Sequence, residues 1–228
     1  MKRVVTVLMV LLLVVSFTSP AFAAAKMTVV NKSLITFEGD WKGYFFAKVE
    51  NTGDAAGYLE YGGKLVGFNA DDDIILTENY VGSYPSRMRL EPGEYAYIRE
   101  YFLENALKTD TIADYKFSIK TEDRGSDYTK LPCEAKLEYS SASKYDNYIN
   151  VTFTNTTEST LYGFAVTVAA FDQKGELVFV EGDSTSSIGV HPGSTLTLKL
   201  RIDSDLAEYF QRKDIKLTEV DAFVYIGE

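Results

Sequence analysis

The sequence predicts an all-β protein built from two tandem antiparallel β-sandwich domains that follow a cleaved signal peptide. Three observations support this prediction: an export-type N-terminal segment, strands with a two-residue alternation and little helical periodicity, and one internal repeat of about 100 residues. The 228 residues are 46% hydrophobic and 25% charged, a composition that is typical of a globular protein and excludes disorder or a collagen-like fibre.

The N-terminal segment has the three parts of a secretory signal peptide. Met1-Lys2-Arg3 is basic, Val4 to Phe17 is apolar, and Ala21-Phe22-Ala23 is a small-residue cleavage site. The apolar run is shorter than the ~20 residues of a membrane-spanning helix, which favours cleavage over a retained anchor. We therefore expect residues 1–23 to be removed and the mature protein to be exported, without a membrane span. It would then be extracellular, cell-surface-associated or periplasmic.

The remaining chain is acidic. The net charge of −10 becomes −12 when Lys2 and Arg3 leave with the signal peptide. Such a surface repels nucleic acids and anionic lipids and favours either simple solubility or cationic partners. Cys133 is the only cysteine, so no internal disulfide is possible, and we expect a buried thiol or a bond to another chain.

Three segments recur in the same order at nearly constant spacing, which predicts two copies of one fold. The pairs are Tyr44 to Thr52 with Tyr148 to Thr156, Leu90 to Glu94 with Val190 to Ser194, and Asp114 to Ile119 with Asp221 to Ile226, at offsets of 104, 100 and 107. Both members of the first pair are predicted to be alternating strands that end in Asn-Thr, and both members of the second contain a Pro-Gly turn. The predicted domains are residues 26–125 and 130–228, joined by a polar linker that includes Glu122 to Asp127.

Individual elements follow from local patterns. Leu196 to Ile202 alternates strictly, which predicts a strand with one buried face, whereas Ala165 to Ala169 is apolar enough for a strand buried on both faces. Phe171 to Val178 is predicted to form a hairpin that turns at Gly175. Short helices are expected at Glu100 to Ala106 and Asp205 to Arg212. The sandwiches would be immunoglobulin-like only in the broad sense, because the Cys-Trp-Cys pattern is absent.

The second copy resembles the FxLYD-type domain of bacterial extracellular proteins. The residues that carry the resemblance are Asn155-Thr156-Thr157-Glu158, the apolar stretch Leu161 to Ala170, the turn Phe171-Asp172-Gln173-Lys174-Gly175, and Pro192-Gly193. In the first copy, Phe68-Asn69-Ala70-Asp71-Asp72-Asp73 replaces the Asp-x-x-Gly turn. The resemblance implies a small β-sandwich on exported proteins, with no catalytic residue and no defined ligand.

The sequence offers little for enzymatic chemistry. His191, the only histidine, lies in a turn where the other copy has Glu91, a poor place for a catalytic base, and one His with one Cys cannot form a usual zinc site. The carboxylates Glu91, Glu94, Glu100 and Glu104 could act as a hydrolytic pair, although 33 acidic residues make close pairs inevitable. We therefore expect no enzyme and no required cofactor, with a secreted carboxylate-dependent hydrolase as the alternative.

Asn69, Asp71 and Asp73 belong to an acidic loop that could bind Ca²⁺ through oxygen ligands. An EF-hand is excluded, because Ile74 and Tyr80 stand where that loop needs Gly and Glu. The two readings of this loop are a loose surface calcium site, which would make the protein a calcium-stabilised surface module, and a solvated hairpin.

Two stretches near residues 58–64 and 80–87 are rich in Tyr and Gly, the chemistry of protein- and sugar-binding loops. The candidate ligand-binding residues there are Tyr58, Tyr61, Tyr80, Tyr84 and Arg87. The alternative is that these tyrosines cover the faces of the sandwich. The function predicted overall is a non-enzymatic binding or structural module for an unknown protein or glycan partner.

Overall fold

The computed structural model describes residues 23–140 and 142–227, so the predicted signal peptide lies outside the described residues except for Ala23. The described chain is all-β, with several antiparallel sheets, which confirms the predicted fold class. No helix within these ranges has both the length and the apolar character needed to cross a membrane.

From residue 23 onward, the described part of the first half contains nine strands and one short 3₁₀ helix. The strands are β1 (Met27–Thr36), β2 (Lys42–Asn51), β3 (Gly57–Leu59), β4 (Gly63–Phe68), β5 (Ile74–Val81), β6 (Arg89–Leu90), β7 (Tyr95–Leu103), β8 (Asp114–Ser118) and β9 (Thr121–Glu122), with the 3₁₀ helix at Asn105–Lys108. The predicted helix at Glu100 to Ala106 is therefore wrong in place, because β7 continues to Leu103 and only the following turn is helical.

Among the residues described in the second half, there are seven strands and one α-helix. The elements are β10 (Tyr128–Leu131), β11 (Cys133–Glu138), β12 (Tyr148–Thr154), β13 (Phe164–Asp172), β14 (Leu177–Thr185), β15 (Thr195–Arg201), α1 (Ser204–Arg212) and β16 (Leu217–Gly227). Helix α1 begins after Asp203, whose carboxylate accepts the Asp205 amide, and it buries Leu206, Ala207 and Phe210. It matches the helix predicted at Asp205 to Arg212.

The two halves use the same strand order. The first half has a β1-β2-β7 sheet and a β5-β4-β8 sheet, and the second half has β11-β12-β15 and β14-β13-β16. The second half adds β10 beside β16, whereas the first half adds the small β6-β3-β9 sheet. These matched orders follow the sequence repeat.

Each half buries apolar side chains between its sheets. In the first half, Phe45 of β2 meets the ring of Phe117 of β8 at 4.7 Å between centroids. In the second half, Phe153 of β12 meets Phe164 of β13 at 5.1 Å. Burial of a side chain of this size is worth about 1.5–3 kcal/mol, so these inward faces decide which side of each sheet becomes core.

The outer face of the β1-β2-β7 sheet packs against the second half. Tyr44, Phe46 and Tyr97 belong to the same buried cluster as the second-half core, and Phe223 of β16 contacts Tyr97 at 6.1 Å between ring centroids. The hydroxyls of Tyr95 and Tyr97 both donate to the Asp221 carboxylate at 2.8 Å. The sheets therefore form four layers, with β2 and β13 buried on both faces.

A buried asparagine ends strand β2 and another directly follows β12, and their side-chain amides donate to equivalent carbonyl groups. The Asn51 side-chain amide donates to the carbonyls of Ala55 at 2.8 Å and Leu90 at 2.9 Å. The Asn155 amide donates to Ser159 and Val190, both at 2.8 Å. In each half these hydrogen bonds connect the strand end to the segment that leads into the Pro-Gly turn. This connection explains why Asn-Thr and Pro-Gly recur together in the sequence.

Candidate functional site

Three of the five predicted ligand-binding residues meet at one end of the first half, beside the second half. Tyr61 follows β3, Tyr80 lies near the end of β5, and Tyr84 lies in the loop after β5. Their exposed fractions are 43%, 71% and 40%, and the rings of Tyr61 and Tyr80 lie 6.3 Å apart between centroids. These three tyrosine rings are therefore exposed and do not cover a face of the sandwich.

The other two predicted residues lie at the margin of this cluster. The Arg87 guanidinium is 5.5 Å from the Tyr61 ring centroid and forms an ion pair with Glu122 at 3.4 Å. Tyr58 is partly buried, and its hydroxyl donates to Asp127 at 3.3 Å. The structure thus groups Arg87 with the tyrosines and gives Tyr58 a partner elsewhere.

A groove runs between the two halves beneath these tyrosines, and we call it the junction groove. It consists of two neighbouring cavities of about 190 Å³ and about 620 Å³ that share Tyr61, Ser83 and Tyr84 as lining residues. The smaller cavity is charged; it is also lined by Tyr80, Tyr97, Arg99, Glu100 and Glu181. The larger one carries hydroxyl groups and rings; it is also lined by Tyr128, Ser184, Thr185, Ser186 and Tyr225.

Contacts from the second half hold Tyr84 in the groove. The Thr167 hydroxyl of β13 donates a hydrogen bond to the Tyr84 backbone carbonyl. The Tyr84 ring also lies directly on Gly182 of β14, where an added Cβ would be only 2.7 Å from the ring. A glycine is therefore required at this close approach, and the groove depends on both halves.

The charged cavity contains one paired and one unpaired carboxylate. Arg99 forms an ion pair with Glu181 at 3.2 Å. The side-chain carboxylate of Glu100 makes no hydrogen bond and no ion pair with any residue in the described part of the chain. Burial and the nearby negative charge of Glu78 raise the pKa of Glu100 to about 7, although Arg99 opposes this shift. Burial also raises the pKa of Glu181. This cavity can therefore exchange a proton near neutral pH.

Comparison of the two repeats marks Glu100 as unusual, whereas the local residue pattern around it does not. Glu100 faces the first-half core at the position where the second half has the buried Leu200. A carboxylate on the core face of an alternating strand is energetically unfavourable, so its presence there indicates a functional role. Sequence reasoning named Glu100 only as one member of a carboxylate run, and it did not identify Arg99 or Glu181, because their meeting depends on how the halves pack.

The acidic loop forms a hairpin turn rather than an open cluster of oxygen ligands. The Asn69 side-chain oxygen accepts the backbone amides of Asp71 at 3.0 Å and Asp73 at 2.9 Å, while its amide donates to Asp110 at 2.8 Å. Asp172 makes the same turn in the second half, accepting the amides of Lys174 and Glu176. The two turns are thus equivalent, although only the second has the Asp-x-x-Gly sequence.

Asp72 takes the left-handed backbone position that Gly175 occupies, with φ of 66° and 79°. This is why the first copy can replace the glycine: Asp tolerates that region better than most residues. Within residues 23–140 and 142–227, no group of three or more His, Cys, Asp or Glu side chains is arranged to hold a metal ion.

His191 and Cys133, the two other residues considered for chemistry, have ordinary environments. His191 is exposed in its turn, 3.0 Å from the Thr160 hydroxyl. Cys133 is half-buried and donates to the Ala222 carbonyl at 3.4 Å, and burial raises the pKa of its thiol. Neither residue lines the junction groove.

Comparisons with known proteins identify no family. No family model and no curated protein matches the chain. Among solved structures, it is similar to the C-terminal globular domain of an oligosaccharyltransferase from Pyrococcus abyssi, with 7% identity, a TM-score of 0.23, and coverage of 89% of this chain and 47% of that one. It is also similar to a calcium-binding mutant of Bacteroides uniformis β-glucuronidase 2, with 6% identity, a TM-score of 0.21, and coverage of 77% and 27%. The chain spans less than half of either matched structure.

Proposed function

We propose that the protein is an exported, non-enzymatic binding module whose ligand lies in the junction groove. The observation that carries this proposal is the convergence of Tyr61, Tyr80 and Tyr84, all exposed, over a groove lined by both halves. Exposed tyrosines supply a large contact area at low entropic cost, and neighbouring hydroxyls supply hydrogen bonds. A glycan or a polypeptide at the cell surface is the class of partner that such a groove fits.

The proposal includes export by the N-terminal signal peptide and membership of the second half in the FxLYD-type group of domains. In this view the chain forms two immunoglobulin-like domains in tandem. The hydrogen bonds shared by Asn51 and Asn155 support the duplication, and the equivalent turns at Asn69 and Asp172 support a common origin of the halves.

The binding proposal is tested with a double variant, Tyr80→Ala with Tyr84→Ala. Labelled wild-type protein is applied to an array of immobilised glycans and peptides, and the variant is applied to the same array. We expect the variant to lose every specific signal while its thermal midpoint falls only slightly, because Tyr80 is 71% exposed and the Tyr84 backbone carbonyl that Thr167 bonds is retained. The matched control is Tyr162→Ala, which removes another exposed tyrosine outside the groove. Undiminished binding by the double variant would show that the groove is not the site.

A carboxylate-dependent hydrolase is the second candidate, and the raised pKa of Glu100 is the observation that favours it. A carboxylic acid with a pKa near 7 can act as a general acid at neutral pH, and Glu181 lines the same cavity. Turnover of any substrate in a polysaccharide and ester panel, lost in Glu100→Gln, would support this function over simple binding.

A further inference from the structure

The charged end of the junction groove has a specific chemistry that the proposed binding function leaves open. Its cavity of about 190 Å³ is smaller than the ~300 Å³ at which pockets begin to enclose whole small-molecule ligands. It therefore has room for one functional group of a larger ligand, or for a very small ligand.

The charges of this cavity leave a negative group without a counter-charge. Arg99 already pairs with Glu181, and its guanidinium also lies 6.0 Å from the Tyr44 ring centroid. Glu100 has no ion-pair partner among the described residues. Two charges act on it: Glu78 of β5, which is negative, and Arg99, whose guanidinium is already paired with Glu181. A cationic group entering the cavity would supply the missing counter-charge, whereas an anionic group would meet repulsion.

The walls of the cavity suit an organic cation better than a hydrated metal ion. Tyr61, Tyr80, Tyr84 and Tyr97 all line it, and the face of an aromatic ring attracts ammonium and alkylated ammonium groups. The Tyr97 hydroxyl is engaged by Asp221, which fixes its ring. Tyr80 has a φ of 67°, a strained conformation for a bulky residue that accumulates at ligand sites.

We propose that the junction groove binds an alkylammonium cation, with its nitrogen beside Glu100 and its carbon atoms against the rings of Tyr61, Tyr80 and Tyr84. This inference rests on the proposed function and names the ligand chemistry of the same site. The cation is either a free small amine or the lysine side chain of a polypeptide. In the second case the larger, hydroxyl-lined cavity accepts the adjoining peptide.

The test measures binding of three probes to the purified protein by isothermal calorimetry. n-Butylamine, which is protonated at neutral pH, represents the free amine, Nα-acetyl-lysine methylamide represents the lysine side chain, and Nα-acetyl-norleucine methylamide is the uncharged match. We expect saturable binding of one or both cations and none of the norleucine probe. Binding of n-butylamine alone would identify a free amine as the source, and binding of the lysine probe alone would identify a polypeptide. Equal binding of the charged and uncharged probes would overturn the proposal.

Glu100→Gln tests the assigned carboxylate. We expect this variant to bind the cation about tenfold more weakly or worse, equivalent to the loss of one favourable charge contact, while Glu134→Gln, an exposed carboxylate on β11, binds as the wild type does. The thermal midpoint of Glu100→Gln serves as a folding check, and we expect it to be unchanged or higher. Unchanged cation affinity in a folded Glu100→Gln protein would contradict the assignment.

The array experiment separates this inference from the function on which it rests. If the Tyr80 and Tyr84 double variant loses its array ligand while Glu100→Gln keeps it, the cation assignment is wrong and the binding function stands. If both proteins keep the ligand, neither the groove nor the cation assignment is correct.

Discussion

At the scale of single residues, Glu100 places a carboxyl group where the second half has an apolar side chain. Its counterpart Leu200 is buried, as a residue on the core face of an alternating strand should be. Glu100 keeps the same place in the sheet, opposite Phe45 of β2, yet carries a carboxyl group. The first half therefore accepts a polar group at a core position, and this creates the charged cavity.

The raised pKa of Glu100 predicts how stability depends on pH. The pKa rises from an ordinary value of 4.5 to about 7 in the folded protein, where Glu78 and Arg99 are the charged groups that act on it. Between these two values the folded state holds a proton that the unfolded state has released, so rising pH favours unfolding. We expect wild-type stability to fall between about pH 4.5 and about pH 7, relative to Glu100→Gln.

Above pH 7 the difference should reach on the order of 1 kcal/mol, a value reduced for partial exposure to solvent. Urea unfolding of both proteins at a series of pH values measures it, with Glu134→Gln as the control. Parallel pH profiles for wild type and Glu100→Gln would show that the carboxyl group does not carry the shift.

At the scale of elements, a buried asparagine stabilises the end of β2 in the first half and the end of β12 in the second. Asn51, the last residue of β2, and Asn155, directly after β12, each donate hydrogen bonds to the loop that follows and to the segment before the Pro-Gly turn. These bonds add to the backbone pairing already present at Leu90 and Val190. The Asn-Thr motif marks this device in the sequence.

We expect Asn51→Ala and Asn155→Ala each to destabilise the protein by about 2–4 kcal/mol. Truncation removes four side-chain hydrogen bonds at each asparagine, and each lost hydrogen bond costs about 0.5–1.5 kcal/mol. Chemical denaturation monitored by circular dichroism measures the loss. Asn150→Ala, on the outer face of β12, is the matched control and should change stability by less than about 1 kcal/mol. A similar small effect in all three variants would contradict the role of the two asparagines.

The sequence predicts a strand well when one face of the strand is exposed to water, and poorly when both faces are buried. The alternation in β15 is readable because Leu200 is buried while Arg201 is exposed. Strand β2 was predicted to alternate in the same way, but Tyr44 to Ala47 is buried throughout, because its outer face packs on the second half. The tyrosine cluster was predictable in composition. The partners Glu181 and Thr167 were not, since no local pattern encodes contacts across such long separations.

At the scale of the whole molecule, the packing of the halves follows from a difference between the repeated strands. The outward residues of β7 include Tyr95 and Tyr97, and β2 contributes Phe46. The corresponding positions in the second half are Thr195, Thr197 and Asn150. The first half thus presents an aromatic face for docking, whereas the second half presents hydroxyl and amide groups.

We expect the double variant Phe46→Asn with Tyr97→Thr, which copies the second-half residues, to separate the two halves. It removes two large buried side chains, each worth about 3–5 kcal/mol when truncated, and the hydrogen bond to Asp221. The wild type should unfold in a single transition. The variant should unfold in two transitions, or at a much lower denaturant concentration. Glu50→Gln, a change on the outer face of the same strand, is the control.

The docking of the halves bears on self-association. The face of one half docks on a different face of the other, and a heterologous contact of this kind between molecules has no inherent stop and propagates into a fibre. The outward side of the β11-β12-β15 sheet carries paired threonine hydroxyls instead, Thr152 with Thr197 and Thr154 with Thr195. Water solvates these groups well, so this sheet lacks the aromatic face through which a neighbouring molecule would extend the series.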